Sequence, residues 1–316
     1  EMLIDSVRVY LHEVNEIGFD EAGYAKSHVD YAEKMASGRK FQKMQLDPNN
    51  KLRFYATSPN KRYYRFSDNQ KHHVHFNVKD SYGNLSTVDF FILASDQKAP
   101  KIKNTSKQGV FMSWQKENFF ENEQVRVYLP KNALFDDFSF SYKTSSGPTK
   151  FSDLHSIHNK YTPLNKYMKI YIKCDIPDDI KNKALLVRKN NNGSRQAFGG
   201  NYEYGYVVSG TKYFGDYYVD VDTVAPRIVP LNISENANLS GYKSINFRVN
   251  DNLSGIKSYN GYIDNTWVLF EYDAKNNLVQ YFFDDEQLET DTKHTLELFI
   301  MDEKDNISTY TTSFYY

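Results

Sequence analysis

The chain has 316 residues, 39 of them basic and 40 acidic, for a formal net charge of −1. That length holds two or three domains at roughly 100–150 residues each; the 40% hydrophobic share gives each a core, and the lack of a basic excess excludes the electrostatic footprint of a nucleic-acid binder. No apolar run approaches the roughly 20 residues of a membrane-crossing helix, and the single cysteine, Cys174, excludes a disulfide within the chain.

Aromatic residues make up 16%, with 26 Tyr and 22 Phe, which suits β-strands. Residues 1–5 lack the basic start and apolar core of a signal peptide, so a processed or excised part of a longer protein is expected. Strands are predicted at 7–11 and 52–55. Between them Ser27 is placed to cap a short helix, with Asp30 as the capping-box acid, Val29, Tyr31, Ala32 and Met35 along it, and Gly38 as its stop. A hairpin follows, with strands at 72–80 and 85–91 around the turn Ser81-Tyr82-Gly83-Asn84. The same pattern returns at 296–310, and a related version spans 247–256. In the middle, 168–174 alternates apolar and polar residues, 189–194 is a loop, and 213–221 is a closing strand. Near the end, Ile245, Phe247 and Val249 alternate, Asp264-Asn265 turns one hairpin and Lys275-Asn276-Asn277 the next. Pro100 and Pro226 mark extended junctions at 96–102 and 222–228. The reading is an all-β chain of tandem Ig-like β-sandwiches over 1–97, 98–222 and 223–316. The first carries the one helix, and is expected to be incomplete at its N-terminus because a sandwich needs about seven strands.

Chemistry-bearing residues are sparse. His73 and His75 share one face of a predicted strand, opposite Val74, Phe76 and Val78. Two imidazoles so placed can reach one zinc ion, although a catalytic zinc takes a third protein ligand; they are the metal candidates, against a plain solvated face. His12-Glu13 misses the zincin motif, because Glu16 stands where its second histidine belongs. His155 and His158 read as polar loop residues, and Cys174, in line with Ile170 and Ile172, as a small buried hydrophobe. Neither a Gly-x-Ser-x-Gly elbow nor a phosphate-binding glycine loop occurs. The acidic pairs Asp136-Asp137, Asp178-Asp179 and Asp284-Asp285 read as solvated turns rather than a glycosidase pair. Asp80, Asp251 and Asp302 each open a turn; they suit calcium, which takes oxygen ligands, or bonds from the carboxylate to backbone N–H groups two residues on. Tyr63, Tyr64, Tyr204 and Tyr206 are candidates for stacking on a sugar or peptide. The Asn-x-Ser/Thr triplets at Asn104, Asn232 and Asn238 are expected by chance in so Asn-rich a chain. No catalytic residue is assigned, and no cofactor is expected in this chain.

Several segments together carry a family likeness: Phe19-Asp20-Glu21, Ser27-His28-Val29-Asp30-Tyr31-Ala32-Glu33, Leu46-Asp47-Pro48-Asn49-Asn50-Lys51-Leu52 and Asp80-Ser81-Tyr82-Gly83-Asn84. Further along come Pro130-Lys131-Asn132-Ala133-Leu134-Phe135, Phe214-Gly215-Asp216-Tyr217, Asp222-Thr223-Val224-Ala225-Pro226, Ser254-Gly255-Ile256-Lys257-Ser258-Tyr259 and Ile263-Asp264-Asn265-Thr266-Trp267. Over essentially its whole length the chain resembles the region that follows the catalytic domain in lysostaphin-type (LytM-like) zinc metallopeptidases of Bacteroidetes-like bacteria. In that family a His with an Asp four residues on, and a His-x-His strand, hold the zinc in a domain preceding the sandwiches. Here no His has an Asp four residues later, and His73-Val74-His75 runs into a hairpin turn, so no catalytic residue is carried over. The resemblance implies a non-catalytic accessory region of an exported peptidoglycan-directed peptidase, in the periplasm or cell envelope. Zinc would belong only to an upstream catalytic domain. The implied partners are that domain, peptidoglycan or envelope proteins, with no nucleic acid and no transmembrane segment. The alternative is a stand-alone carbohydrate- or protein-binding β-sandwich module of the envelope.

Overall fold

The computed structural model describes the chain apart from residues 56–63, 65, 67, 95–108, 191 and 285–287; Tyr63, Asn104, Asp285 and the junction at 96–102 lie outside the described residues. The chain is all-β apart from short helical pieces, and its sheets fall into three groups. The first is one antiparallel sheet of β1 (Met2–Ile4), β2 (Val7–Tyr10), β3 (Lys71–Lys79) and β4 (Leu85–Leu93), in the order β2-β1-β3-β4. Between β2 and β3 come α1 (Ala25–His28) and α2 (Tyr31–Ser37).

The second group holds β5 (Val110–Met112), β6 (Asn118–Glu121), β7 (Val125–Leu129), β8 (Phe138–Phe140), β9 (Tyr142–Ser145), β10 (Leu154–Ile157), β11 (Pro163–Lys173), β12 (Ala184–Lys189), β13 (Arg195–Ala197), β14 (Asn201–Glu203), β15 (Tyr206–Tyr213) and β16 (Gly215–Val221). Its two five-stranded sheets run β13-β12-β16-β10-β9 and β14-β15-β11-β7-β6, with β5 and β8 paired beside them. Period-two burial makes this a sandwich: Val125 and Val127, with Ile170 and Ile172, meet Ile157, Leu186, Tyr217 and Val219 of the other sheet in one core. Each such aliphatic side chain contributes about 1.5–3 kcal/mol of burial.

The third group comprises β17 (Arg227–Pro230), β18 (Ala237–Asn238), β19 (Ser244–Asn250), β20 (Ile256–Ile263), β21 (Thr266–Val268), β22 (Phe270–Asp273), β23 (Leu278–Phe282), β24 (Lys293–Asp302) and β25 (Ile307–Tyr315). The sheets β17-β19-β23-β22 and β18-β25-β24-β20-β21 enclose Phe247, Val249 and Val279 against Leu296, Leu298, Ile300 and Phe314.

Three local expectations need correction. The helix cap is Asp30, whose carboxylate accepts from Glu33 N at 3.0 Å, because Val29 is extended and bridges Gln42; Ser27 instead donates to Asp47. Gly38 does stop the helix, at φ +78. Residues 53–55 form a 3-10 turn rather than a strand, since Asn50 Oδ1 captures Leu52 N at 3.0 Å and turns the chain there. In β3, Val74 is buried but Val78 is exposed, and Val88, Phe90 and Phe91 of β4 are exposed as well. Meanwhile residues around Asn49 lie on the middle sandwich: Asn49 Nδ2 donates to Leu134 O at 2.7 Å and Asn49 N to Phe135 O at 3.0 Å.

Gly261 on β20 lies under the Phe270 ring, where a Cβ would overlap ring atoms. Gly261→Ala is expected to cost about 1–3 kcal/mol by overpacking, read as a lowered urea midpoint; an unchanged midpoint would mean that ring and strand separate freely.

Candidate functional site

The recurring turn is a recurring set of hydrogen bonds. At the end of β3, Asp80 Oδ1 accepts from Tyr82 N and Asn84 N, both at 2.9 Å, while Asn84 Nδ2 donates to Asp80 Oδ2 at 2.7 Å. At the end of β24, Asp302 Oδ1 accepts from Lys304 N at 2.8 Å and Asn306 N at 2.9 Å, and Asn306 Nδ2 donates to Oδ2 at 2.7 Å. Past β19, Asp251 Oδ2 accepts from Leu253 N at 2.9 Å and Gly255 N at 2.8 Å, with Gly255 at φ +90 in the place of the asparagine. The backbone-capping reading therefore holds for all three aspartates.

Two of these turns meet the end of the middle sandwich. Asp222, just past β16, accepts from Val224 N at 3.2 Å and from Ser254 N at 2.9 Å. Its carboxylate, with those of Asp251 and Asp302, forms a triad whose oxygens lie within 4.8 Å of one another. Asp222 and Asp302 are 1% and 0% exposed. Around them the two sandwiches are tied together. Lys304 Nζ donates to Gly200 O and Lys183 Nζ to Lys304 O, both at 2.6 Å, and Asn306 Nδ2 donates to Asp222 O at 2.9 Å. Leu253 packs on a small cluster of Leu185, Val187 and Tyr218 on the outer face of the middle sandwich. Burial holds the Lys304 ammonium below its ordinary pKa.

Three carboxylates this close repel unless neutralised, and the backbone amides already use part of their capacity. Asp251 Oδ1 and Ser254 Oγ are both buried without a partner. An all-oxygen set with vacant acceptors fits a hard divalent cation such as calcium. Among the described residues this is the one grouping of three metal-type side chains. The turn pattern in the sequence marks Asp251 and Asp302 but not Asp222, which stands in a linker and joins them only through the fold.

The histidine candidates are otherwise engaged. His73 Nε2 and His75 Nδ1 both face Asp89 Oδ1 across the strand pair, at 2.8 and 2.6 Å, and His75 Nε2 faces Asn77 Oδ1 at 2.8 Å. Asp89, then Asn77, raises the His75 pKa; Asp5, then Asp68, raises that of His72. Of the two predicted loop histidines, His155 lies instead on β10, buried against Tyr142, while His158 does sit in the bend just past β10, half-buried with its ring among Phe138, Phe140 and Phe214. Burial pushes His158 and His28 down to about 4. It also pushes the Cys174 thiol up to about 11, as for an inert packed cysteine. The tyrosine candidates are dispersed: Tyr64 packs on Phe66, Tyr204 projects fully exposed from the β14–β15 turn, and Tyr206 lies under the Arg126 guanidinium.

A Zu5-like domain family matches residues 109–222, the span of the middle sandwich. No curated protein matches the chain in sequence. Similar solved structures include fibronectin(III)-like modules of CbhA from Clostridium thermocellum, 12% identical over 46% of this chain and 84% of that one, TM-score 0.24. Another is Bacteroides ovatus SGBP-B of a mixed-linkage glucan utilization locus, 10% identical over 84% and 58%, TM-score 0.19. A third is a Ca2+-stabilized adhesin of an Antarctic bacterium, 11% identical over 77% and 80%, TM-score 0.20. Likenesses this distant carry no functional argument.

Two outcomes are expected. After chelation, added calcium raises the thermal unfolding midpoint of the chain, and Asp251→Asn reduces that shift; an unchanged midpoint would mean that the amides and Lys304 alone neutralise the triad. The depressed His28 and His158 make the folded state bind fewer protons than the unfolded one. Their contribution is therefore complete above pH 6.5 and is lost as pH falls toward about 4. Imidazole NMR should show both still neutral at pH values where His72 and His75 are already protonated; a common titration midpoint would contradict the burial.

Proposed function

We propose that the chain is a rigid, non-catalytic β-sandwich arm of an exported cell-envelope protein, holding a neighbouring unit at a fixed distance and angle. The junction of the middle and last sandwiches carries this reading. Side-chain-to-backbone bonds run both ways across it, from Lys183 and Lys304, and a buried carboxylate cluster sits within it. Tandem domains joined by an ordinary linker move relative to each other, whereas a buried, hydrogen-bonded and apolar joint is stiff. The lysostaphin-type resemblance supports a peptidoglycan-directed peptidase as the parent. Its zinc would then lie in an upstream domain, and the arm would position, regulate or occlude that domain. The second reading, a binding module for envelope carbohydrate or protein, is favoured by the fully exposed Tyr204.

The purified chain is expected to release no muropeptides from sacculi; release would overturn the non-catalytic reading. The coding sequence ahead of Glu1 is expected to hold a His-x-x-x-Asp and a His-x-His behind a signal peptide. Unrelated sequence there would remove the peptidase parent and leave the binding module.

A further inference from the structure

A cleft of about 620 Å³ opens at one end of the sheet β13-β12-β16-β10-β9, with Met35 of α2 at its rim. That is the size of a small-ligand site. Four of its lining side chains are cations: Lys143 on β9, Lys160 just past β10, and Arg188 and Lys189 on β12. The one acid is Asp216, which already accepts from Ser156 Oγ at 2.6 Å. In a chain of net charge −1, the cleft thus concentrates an excess of three positive charges, four against one.

Arg188 is held in place rather than loose. Its stem runs past Gly215, where φ is +146 and a Cβ would lie 3.3 Å from the Arg188 Cδ. Its guanidinium stacks on Tyr213 at 4.9 Å and Phe198 at 5.3 Å, and Nη2 donates to Gln196 Oε1 at 2.8 Å. Nε itself is buried, and the guanidinium also interacts with the Tyr217 hydroxyl, which holds it further in place. A guanidinium held in place at the wall of the cleft and flanked by lysines is preorganised for a carboxylate. Much of the remaining wall is neutral and hydrogen-bonding, with Ser141, Asn159, Asn190 and Ser194, and Tyr161 adds an aromatic face. Such a wall matches sugar hydroxyls.

We propose that this cleft binds a short carboxylate-bearing saccharide, with its carboxylate at Arg188 and its hydroxyls on the serine and asparagine wall. The site is separate from the junction, so its failure leaves the arm reading standing.

Calorimetry of the whole chain tests it with three probes: a galacturonate trisaccharide, a neutral galactose trisaccharide and a glutamate-rich peptide. The galacturonate is expected to bind at low salt and to weaken as salt is raised, with the neutral sugar about tenfold weaker. Arg188→Gln is expected to lose at least about tenfold in affinity. Because that change could disturb packing, Lys143→Gln, at an exposed strand position, is the second variant; it should weaken the acidic sugar alone and leave the unfolding midpoint unchanged. Equal binding of the acidic and neutral sugars, binding of the peptide in place of the saccharide, or no binding of any probe would overturn the proposal.

Discussion

The structure depends on one interaction: a carboxylate at the end of a strand accepting the backbone amides of the turn that follows it. At Asp80 and Asp302 one oxygen takes two amides, and an asparagine four residues on closes the turn from the other side. Asp273 does the same over a shorter turn, accepting from Lys275 N and Asn276 N. A turn so fixed sets hairpin register, and register decides which face of each strand enters the core. Phe299 therefore pairs with Thr309 while its neighbours Leu298 and Ile300 stay buried.

The same device builds the joint. Asp251 and Asp302 would be ordinary turn aspartates if the last sandwich stood alone. Because β16 delivers Asp222 beside them, their amide-bonded carboxylates become a buried cluster spanning two sandwiches. Its repulsion is opposed by peptide dipoles and by Lys304, whose own hydrogen bond reaches the middle sandwich at Gly200. The hydrogen-bonded joint and the charge concentration thus have one source, and a divalent cation there would add to contacts the protein already makes.

The sequence made local periodicity legible. Alternation at Met168, Ile170 and Ile172, or at Ile245, Phe247 and Val249, becomes core in the structure, since burial of one strand face is a period-two signal. The Asp-to-Asn turns were legible for the same reason, being closed within five residues of chain. Features assembled from distant residues were not. Asp222 gained its meaning only by meeting Ser254, and the cleft cations come together only because β9, β10, β12 and β16 share a sheet. His155 departs from its loop reading because β10 pairs with β9 and β16 and places its ring beside Tyr142 in the sheet. The helix cap failed by three residues because Val29 was drawn into a bridge with Gln42.

The central claim is that middle and last sandwiches move as one body. Its most direct test is a pulsed electron–electron distance measurement between nitroxides at the exposed positions Lys169 and Glu271, with Cys174→Ser removing the native thiol. A narrow distance distribution that broadens in Asp222→Ala is predicted. A broad distribution in the unaltered joint, or one indifferent to Asp222→Ala, would contradict the account.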